Sequence, residues 1–386
     1  MKIINELKLD FDDVLIKPKR SFVSSRSEVQ LEREFYFPYS TKPLECVPVM
    51  AANMDTTGSL FMAQTLGFHR AITCLHKHYE IEDYLNLYRN YKFNKDLVFL
   101  STGTNNNDFE KLSATIESIQ ALVPPVGRFN KYTPNICVDV ANGYTEQFVR
   151  NLEKIRKKFK DSIIMAGNVV SPEMTEELII HGGVDIVKVG IGSGSVCTTR
   201  LKTGVGYPQL SAVMECSDAA HGLGAHICSD GGCRTPADVA KAFGAGADFV
   251  MLGSMLAGTN ECDGEWEYEY KCETKPDKLI DQAITWWQPI DPKNGGEKRK
   301  RSLKFYGMSS KEAQEKHHAG VKDYRTSEGR CVSIPYKGTA DEVIKDLFGG
   351  LRSACTYVGA FQIKDFSKKT TFIRVNNTHN RIYEKN

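Results

Sequence analysis

Ile186-Val187-Lys188-Val189-Gly190 runs directly into Ile191-Gly192-Ser193-Gly194-Ser195-Val196-Cys197-Thr198-Thr199-Arg200. A short β-branched run gives way to three glycines set among small residues, then a thiol, two hydroxyls and a guanidinium. The run alternates little, which fits a strand covered on both faces, as in a parallel sheet. Seven runs of the same kind stand around it, at 47–52, 69–75, 97–103, 136–141, 163–169, 225–230 and 249–253. Stretches of helical length separate them. Pro208 suits the first turn of the helix after the sixth run, Thr235-Pro236 opens the next, and the eighth helix is expected at about 341–358. Eight strand–helix units predict an α/β chain folded as a single (β/α)8 TIM barrel over 1–386, not an open sheet.

That architecture places chemistry in the loops at the C-terminal ends of the strands, and the cysteine loop lies just past strand six. Two segments exceed the compact pattern. The first 40 residues precede the barrel and are expected to cap its bottom or edge. Residues 259–338 form a long loop and flap between strand eight and helix eight, far longer than such loops need to be. Within it, Glu265-Trp266-Glu267-Tyr268-Glu269-Tyr270-Lys271 alternates like a strand, and Trp286-Trp287 and Glu297-Lys298-Arg299-Lys300-Arg301 follow. The stretch from about 266 to 301 is expected to be a solvated hairpin or lid extension, since loops tolerate insertion. The sharper alternative is a contact surface for a subunit or regulator, suggested by the tryptophans beside a basic run.

Composition narrows the function classes. The 386 residues carry 50 basic and 48 acidic side chains, a formal charge of +2, so no nucleic-acid or other polyanionic partner is indicated. No apolar run is long enough to cross a bilayer, and the first residues lack the apolar core of a secretory signal. Eleven scattered cysteines without a C-x-x-C pair indicate free thiols in a reducing compartment, and the expected location is the cytoplasm.

A cysteine presented among glycines and hydroxyls is a candidate nucleophile. The loops after strands seven and eight read Ser229-Asp230-Gly231-Gly232 and Leu252-Gly253-Ser254. Their glycine amides suit a phosphate, and Asp230 can accept from ribose hydroxyls. Either loop alone reads equally well as a tight turn; the pair favours a phosphate. Phe305-Tyr306-Gly307-Met308-Ser309-Ser310 and Asp323-Tyr324-Arg325-Thr326-Ser327-Glu328-Gly329-Arg330 lie in the long loop, where they can fold over a ligand. Glu328 is a candidate proton shuttle, although a lone glutamate is more often a solvated acid. His76, His78, His317 and His318 show no metal-ligand spacing and read as surface or core histidines. Cys262 and Cys272 read as incidental.

Taken together, these motifs resemble the IMP dehydrogenase/GMP reductase family over nearly the whole chain, from Phe11-Asp12-Asp13-Val14-Leu15-Ile16 to Thr371-Phe372-Ile373-Arg374-Val375. The dehydrogenase branch commonly carries regulatory modules after the second strand and an Arg-Tyr pair in its flap. Here 75–97 leaves no room for a CBS-type regulatory domain, and the flap reads Ser327-Glu328-Gly329, so the reductase branch is favoured. A dehydrogenase without regulatory modules, oxidising IMP to XMP with NAD, is the alternative. A non-catalytic purine-nucleotide-binding barrel would need neither Cys197 nor Glu328.

The resemblance implies NADPH-dependent, irreversible reductive deamination of GMP to IMP and ammonia, a step of purine salvage. Cys197 would attack purine C2 to form a thioimidate, with Thr199 and Glu328 as the proton-transfer dyad. It assigns the phosphate to Ser195, Gly231, Gly232, Gly253, Ser254 and Tyr306, and the ribose to Asp230. The guanine contacts fall to Gly307, Met308, Ser309, Arg325, Thr326, Ser327, Glu328 and Gly329. The dinucleotide falls to Lys77, Asp139, Val140, Ala141, Ile191, Gly192 and Tyr324. Its adenosine end falls to Ser25, Arg26, Ser353, Ala354, Cys355 and Thr356 of a neighbouring subunit, in an expected homotetramer. Carbonyls of Gly192, Gly194, Cys197 and Arg200 would hold K+. Ser193 stands where the family commonly has proline, which is expected to loosen the loop, and Thr326 replaces the commoner alanine.

Overall fold

Eight parallel strands close into a barrel in chain order in the computed structural model, which describes residues 1–90, 93–123, 132–273, 285–289, 297–317 and 326–378. The strands are Val49–Ala51, Ile72–Leu75, Val98–Thr102, Asn135–Asp139, Ile164–Val169, Ile186–Val189, His226–Asp230 and Phe249–Leu252. The eighth pairs with the first, Val250 opposite Val49 and Leu252 opposite Ala51, so the barrel has no open edge. Each strand falls within one of the eight sequence runs, save that the fourth starts one residue earlier, at Asn135.

Period-two alternation divides every strand between two apolar clusters. Met50, Cys74, Phe99, Cys137, Met165, Cys228 and Met251 point inward and fill the barrel. Val49, Leu75, Leu100, Val138, Ala166, Val187 and Leu252 point outward beneath the helices. Both faces are therefore apolar, and this is why the runs showed so little alternation. The floor is closed by the hairpin of Arg33–Phe35 and Leu44–Cys46, with Phe35 stacked on Phe249 at 4.3 Å between ring centroids. The early residues thus do cap the bottom. All eleven cysteines are free, and burial pushes the thiols of Cys46, Cys74 and Cys228 well up, which leaves them un-ionised packing groups.

Helix starts follow their capping chemistry. Thr235 caps Pro236–Gly244, and the Asp238 carboxylate returns a bond to the Thr235 N–H at 3.0 Å. Pro208 sits one position earlier than expected, at the cap of Gln209–Gly222. The eighth barrel helix is Ala340–Val358, closed by Gly359 at φ 76°. A single helical turn, Thr199–Thr203, is built into the cysteine loop. Among the described residues, no helix is long and apolar enough to cross a membrane.

The long loop differs from the expected hairpin. It forms a four-stranded antiparallel sheet in the order Thr285–Gln288, Trp266–Glu273, Lys298–Tyr306, Cys331–Pro335. The last strand follows directly on Glu328, so the insert and the segment bearing the candidate acid belong to one sheet. Part of the basic run finds partners within that sheet. Lys300 lies over the Trp266 ring at 4.1 Å, Arg299 over Trp287 at 4.1 Å, and Arg299 pairs with Glu269 at 2.9 Å.

Candidate active site

Backbone bonds stitch residues 327–330 onto the cysteine loop. The Thr198 N–H donates to the Glu328 carbonyl at 2.9 Å, the Arg330 N–H to the Val196 carbonyl at 2.9 Å, and the Glu328 N–H to the Ser309 carbonyl at 3.2 Å. Cys197 and Gly329 face one another as an antiparallel bridge. These contacts carry the Glu328 side chain to the first residue of the Thr199–Thr203 turn. There the Cys197 thiol donates to Thr199 Oγ1 at 3.2 Å, and the Thr199 hydroxyl donates to Glu328 Oε2 at 2.7 Å. Thiol, hydroxyl and carboxylate form one continuous hydrogen-bonded path.

The path joins two cavities. One, of about 420 Å³, is lined by Ser195, Cys197, Asp230, Gly231, Gly232, Gly253, Ser254 and Arg330, among others. The second, of about 530 Å³, is lined by Lys77, Asp139, Val140, Ala141, Met308, Ser309, Thr326 and Glu328, among others. The first needs glycine where two loops meet. Gly231 has φ 85°, and a β-carbon there would stand 2.7 Å from Ser193 Oγ. Ser193 does not loosen the loop as expected, because its hydroxyl donates to the Asp230 carbonyl at 2.9 Å and ties the two loops together.

Lys188 is the residue the sequence reading passed over. It lies in strand six with an inward parity, its side chain almost fully buried. Its ammonium bonds Asp139, and reaches Asp230 Oδ2 at 3.1 Å and Asn53 Oδ1 at 3.3 Å. Burial alone would drive the amine neutral, but the two carboxylates outweigh it and hold the amine well above its usual range. Asp139 is likewise pushed up by burial and pulled further down by Lys188. One buried cation thus fixes a carboxylate of each cavity. The available signal was a lone charge inside an apolar strand run.

Three of the histidines read as surface or core groups also gather here, and His318 lies outside the described residues. His78 stacks on His317 at 3.5 Å between centroids, and both line the second cavity. His317 bonds Asp55 Oδ2 at 2.7 Å. His76 is buried against Tyr79 at 3.9 Å. Burial, reinforced by the charge of His317, depresses His78 to about 3; burial depresses His76 to about 4.

The model of the IMP dehydrogenase / GMP reductase domain matches residues 8–275 and 294–384. The chain belongs to the IMP dehydrogenase/GMP reductase family. It is 50% identical over 382 residues to GMP reductase 1 of Rattus norvegicus, covering 99% of each chain. It is 49% identical over 382 residues to GMP reductase 1 of Homo sapiens, again covering 99% of each. Over 387 residues it is 50% identical to GMP reductase of Yersinia enterocolitica, covering 100% of each.

Against this family's expected site, the structure brings most positions together and corrects some. Tyr306 does not line the first cavity. The strand Lys298–Tyr306 alternates, so Phe305 faces that cavity, while Tyr306 points away and donates its hydroxyl to Asp55 Oδ2 at 2.8 Å. Gly192, expected on the dinucleotide side, lines the first cavity instead, and Ile191 beside it accepts the Tyr207 N–H through its carbonyl at 3.4 Å. Met308, Ser309 and Thr326 line the second cavity with Lys77. The Ser327 hydroxyl turns back to the Gly329 carbonyl at 3.0 Å, and the Gly307 N–H meets the Arg330 carbonyl at 3.4 Å. The short turn Arg26–Glu28, capped by Ser25, packs beside the helix holding Ser353, Ala354 and Thr356. Cys355 is fully buried on that helix, so its thiol faces the core and not a ligand. Tyr324 and Arg325 lie outside the described residues.

Proposed function

We propose that this chain is a GMP reductase, converting GMP to IMP and ammonia in purine nucleotide interconversion. The observation that carries the reading is the Cys197–Thr199–Glu328 path between two cavities, with bonds of 3.2 and 2.7 Å. Two cavities fit two substrates, and the nucleophile opens on one while the acid opens on the other.

In this reading GMP occupies the cavity of Ser195, Gly231, Gly232, Gly253 and Ser254, its phosphate on the loop amides and its ribose on Asp230. The Cys197 sulfur adds to purine C2. The thiol proton passes through Thr199 to Glu328 and on to the departing C2 amino group, which leaves as ammonia with a thioimidate left on the enzyme. Covalent capture divides a hard displacement into two easier steps. A nicotinamide dinucleotide, NADPH in this proposal, supplies hydride at C2 when bound. Lys77, Asp139, Val140 and Ala141 would hold its nicotinamide half, and Ser25, Arg26 and the face of Ser353, Ala354 and Thr356 would read the adenosine half of a neighbouring subunit in a homotetramer. Return of the C2–S bonding electrons to sulfur then frees IMP.

The cysteine loop also suits a K+ ion held by carbonyl oxygens of Gly192, Gly194, Cys197 and Arg200. The Gly194 and Arg200 carbonyls each accept one N–H, from Cys197 at 3.0 Å and Gly204 at 3.2 Å, and each keeps a lone pair for an ion. Such an ion would fix the loop's shape, and no proton or hydride step passes through it.

The test is an absorbance assay of the purified protein with each substrate pair. NADPH consumption with stoichiometric ammonia release from GMP is the expected result. NADH production from IMP and NAD, with no turnover of GMP, would overturn the proposal in favour of the dehydrogenase.

A further inference from the structure

A nucleotide phosphate is a near-dianion at neutral pH, yet the glycine and serine amides of the first cavity are neutral donors. Three arginines line that cavity: Arg200, Arg234 and Arg330. Two are already neutralised. Arg200 pairs with Asp10 at 2.9 Å and bonds the Tyr207 carbonyl. Arg234 grips both carboxylate oxygens of Asp12. The bonds of Arg330 to Ser195 are different in kind. Its Nε and Nη2 donate to the Ser195 carbonyl at 3.2 and 2.7 Å, a neutral acceptor on the phosphate loop itself. Its side chain is exposed at the cavity wall, and a guanidinium can exchange a carbonyl for two phosphate oxygens in its fork geometry.

The position of Arg330 in the chain adds a consequence. It lies two residues from Glu328, and its own N–H is bonded to the Val196 carbonyl, next to Cys197. Resting on the reading above, we propose that Arg330 is the charge partner of the nucleotide 5′-phosphate, and that this contact positions Glu328 on Thr199. The phosphate would then be sensed by the same short segment that delivers the acid. A nucleoside without phosphate would bind weakly and also leave the proton path imperfectly held.

The experiment compares GMP with guanosine on the full-length chain and on Arg330→Gln and Arg330→Lys variants, by calorimetric binding and by steady-state kinetics with NADPH. A charge-assisted contact predicts a loss of GMP affinity of about 10- to 100-fold in Arg330→Gln. Guanosine affinity should stay unchanged, Arg330→Lys should recover part of the GMP affinity, and kcat with GMP should fall alongside the rise in KM. Equal weakening of GMP and guanosine, with no rescue by lysine, would reduce Arg330 to a clip on Ser195 and overturn the inference. Unchanged GMP affinity in Arg330→Gln overturns it as well while leaving the proposed function standing. Absence of GMP binding to the unaltered chain removes both.

Discussion

The Thr199 hydroxyl donates to Glu328 Oε2 at 2.7 Å, a contact that spans 129 residues of chain. Thr199 comes from the loop after strand six, and Glu328 from the sheet inserted after strand eight. Backbone bonds between the two segments hold that distance.

Thr199→Val or Glu328→Gln therefore breaks the path while leaving the thiol in place. Ammonia release is expected to slow by about 10²- to 10⁴-fold, with the hydride step much less affected. Single-turnover kinetics that follow ammonia and cofactor separately check this. Equal slowing of the two steps would discredit the dyad.

Cys197→Ala removes the nucleophile but none of the groups assigned to the phosphate and ribose. Turnover should be abolished and GMP binding retained, as read by calorimetry. Residual turnover near the unaltered rate would sink covalent catalysis.

Lys188→Met leaves Asp139 and Asp230 facing each other across a buried site without their cation. Breaking such a buried network costs about 3–5 kcal/mol, and KM for both substrates should rise because each cavity loses its oriented carboxylate. Urea unfolding measures the first effect and initial rates the second. A loss below about 1 kcal/mol would mean that the pair is effectively solvated.

Acid should destabilise this protein earlier than its carboxylates dictate. His76 and His78 titrate near 6.5 when unfolded, but at about 4 and about 3 in the fold. The unfolded chain then binds more protons below pH 6.5, so stability is complete above that pH and is lost as pH falls toward 4. For His76, whose Nδ1 accepts the His78 N–H at 3.2 Å, the loss is on the order of 3 kcal/mol by pH 4. Thermal midpoints between pH 4 and 7 should show a shallower acid limb in His76→Gln. An identical limb would remove His76 from the account.

Replacing 276–293, the stretch the family match passes over, with a short turn should leave kcat within about twofold. Thr285–Gln288 is an edge strand, and the pairing of Trp266–Glu273 with Lys298–Tyr306 does not depend on it. Changed kinetics or assembly after the replacement would instead favour a contact surface for a subunit or regulator.

Much of this was legible in the chain. The eight runs, the capped helix starts and the glycine-framed Cys197 depend on local pattern, and each appeared within a residue of where its period or capping residue indicated. Lys188 was hidden because a strand's inward parity becomes meaningful only when the barrel closes and brings Asp139 and Asp230 around it. Tyr306 was misplaced because a motif gives residue order but not the face of a strand, and one step along a strand reverses the face. The histidines at 76, 78 and 317 lack any ligand spacing, and their stacking joins the loop after strand two to a helix of the insert.

The sequence by itself determined the barrel, the position of Cys197 just past its sixth strand and the glycines that open the first cavity, since all three follow from periodicity and backbone freedom within short segments. Only the tertiary structure decided the distance at which Thr199 meets Glu328, that one buried lysine serves two cavities, and that Arg330 lines the first of them with a neutral carbonyl as its partner. Those are long-range distances and charge balances, set by which loops the closed barrel brings together.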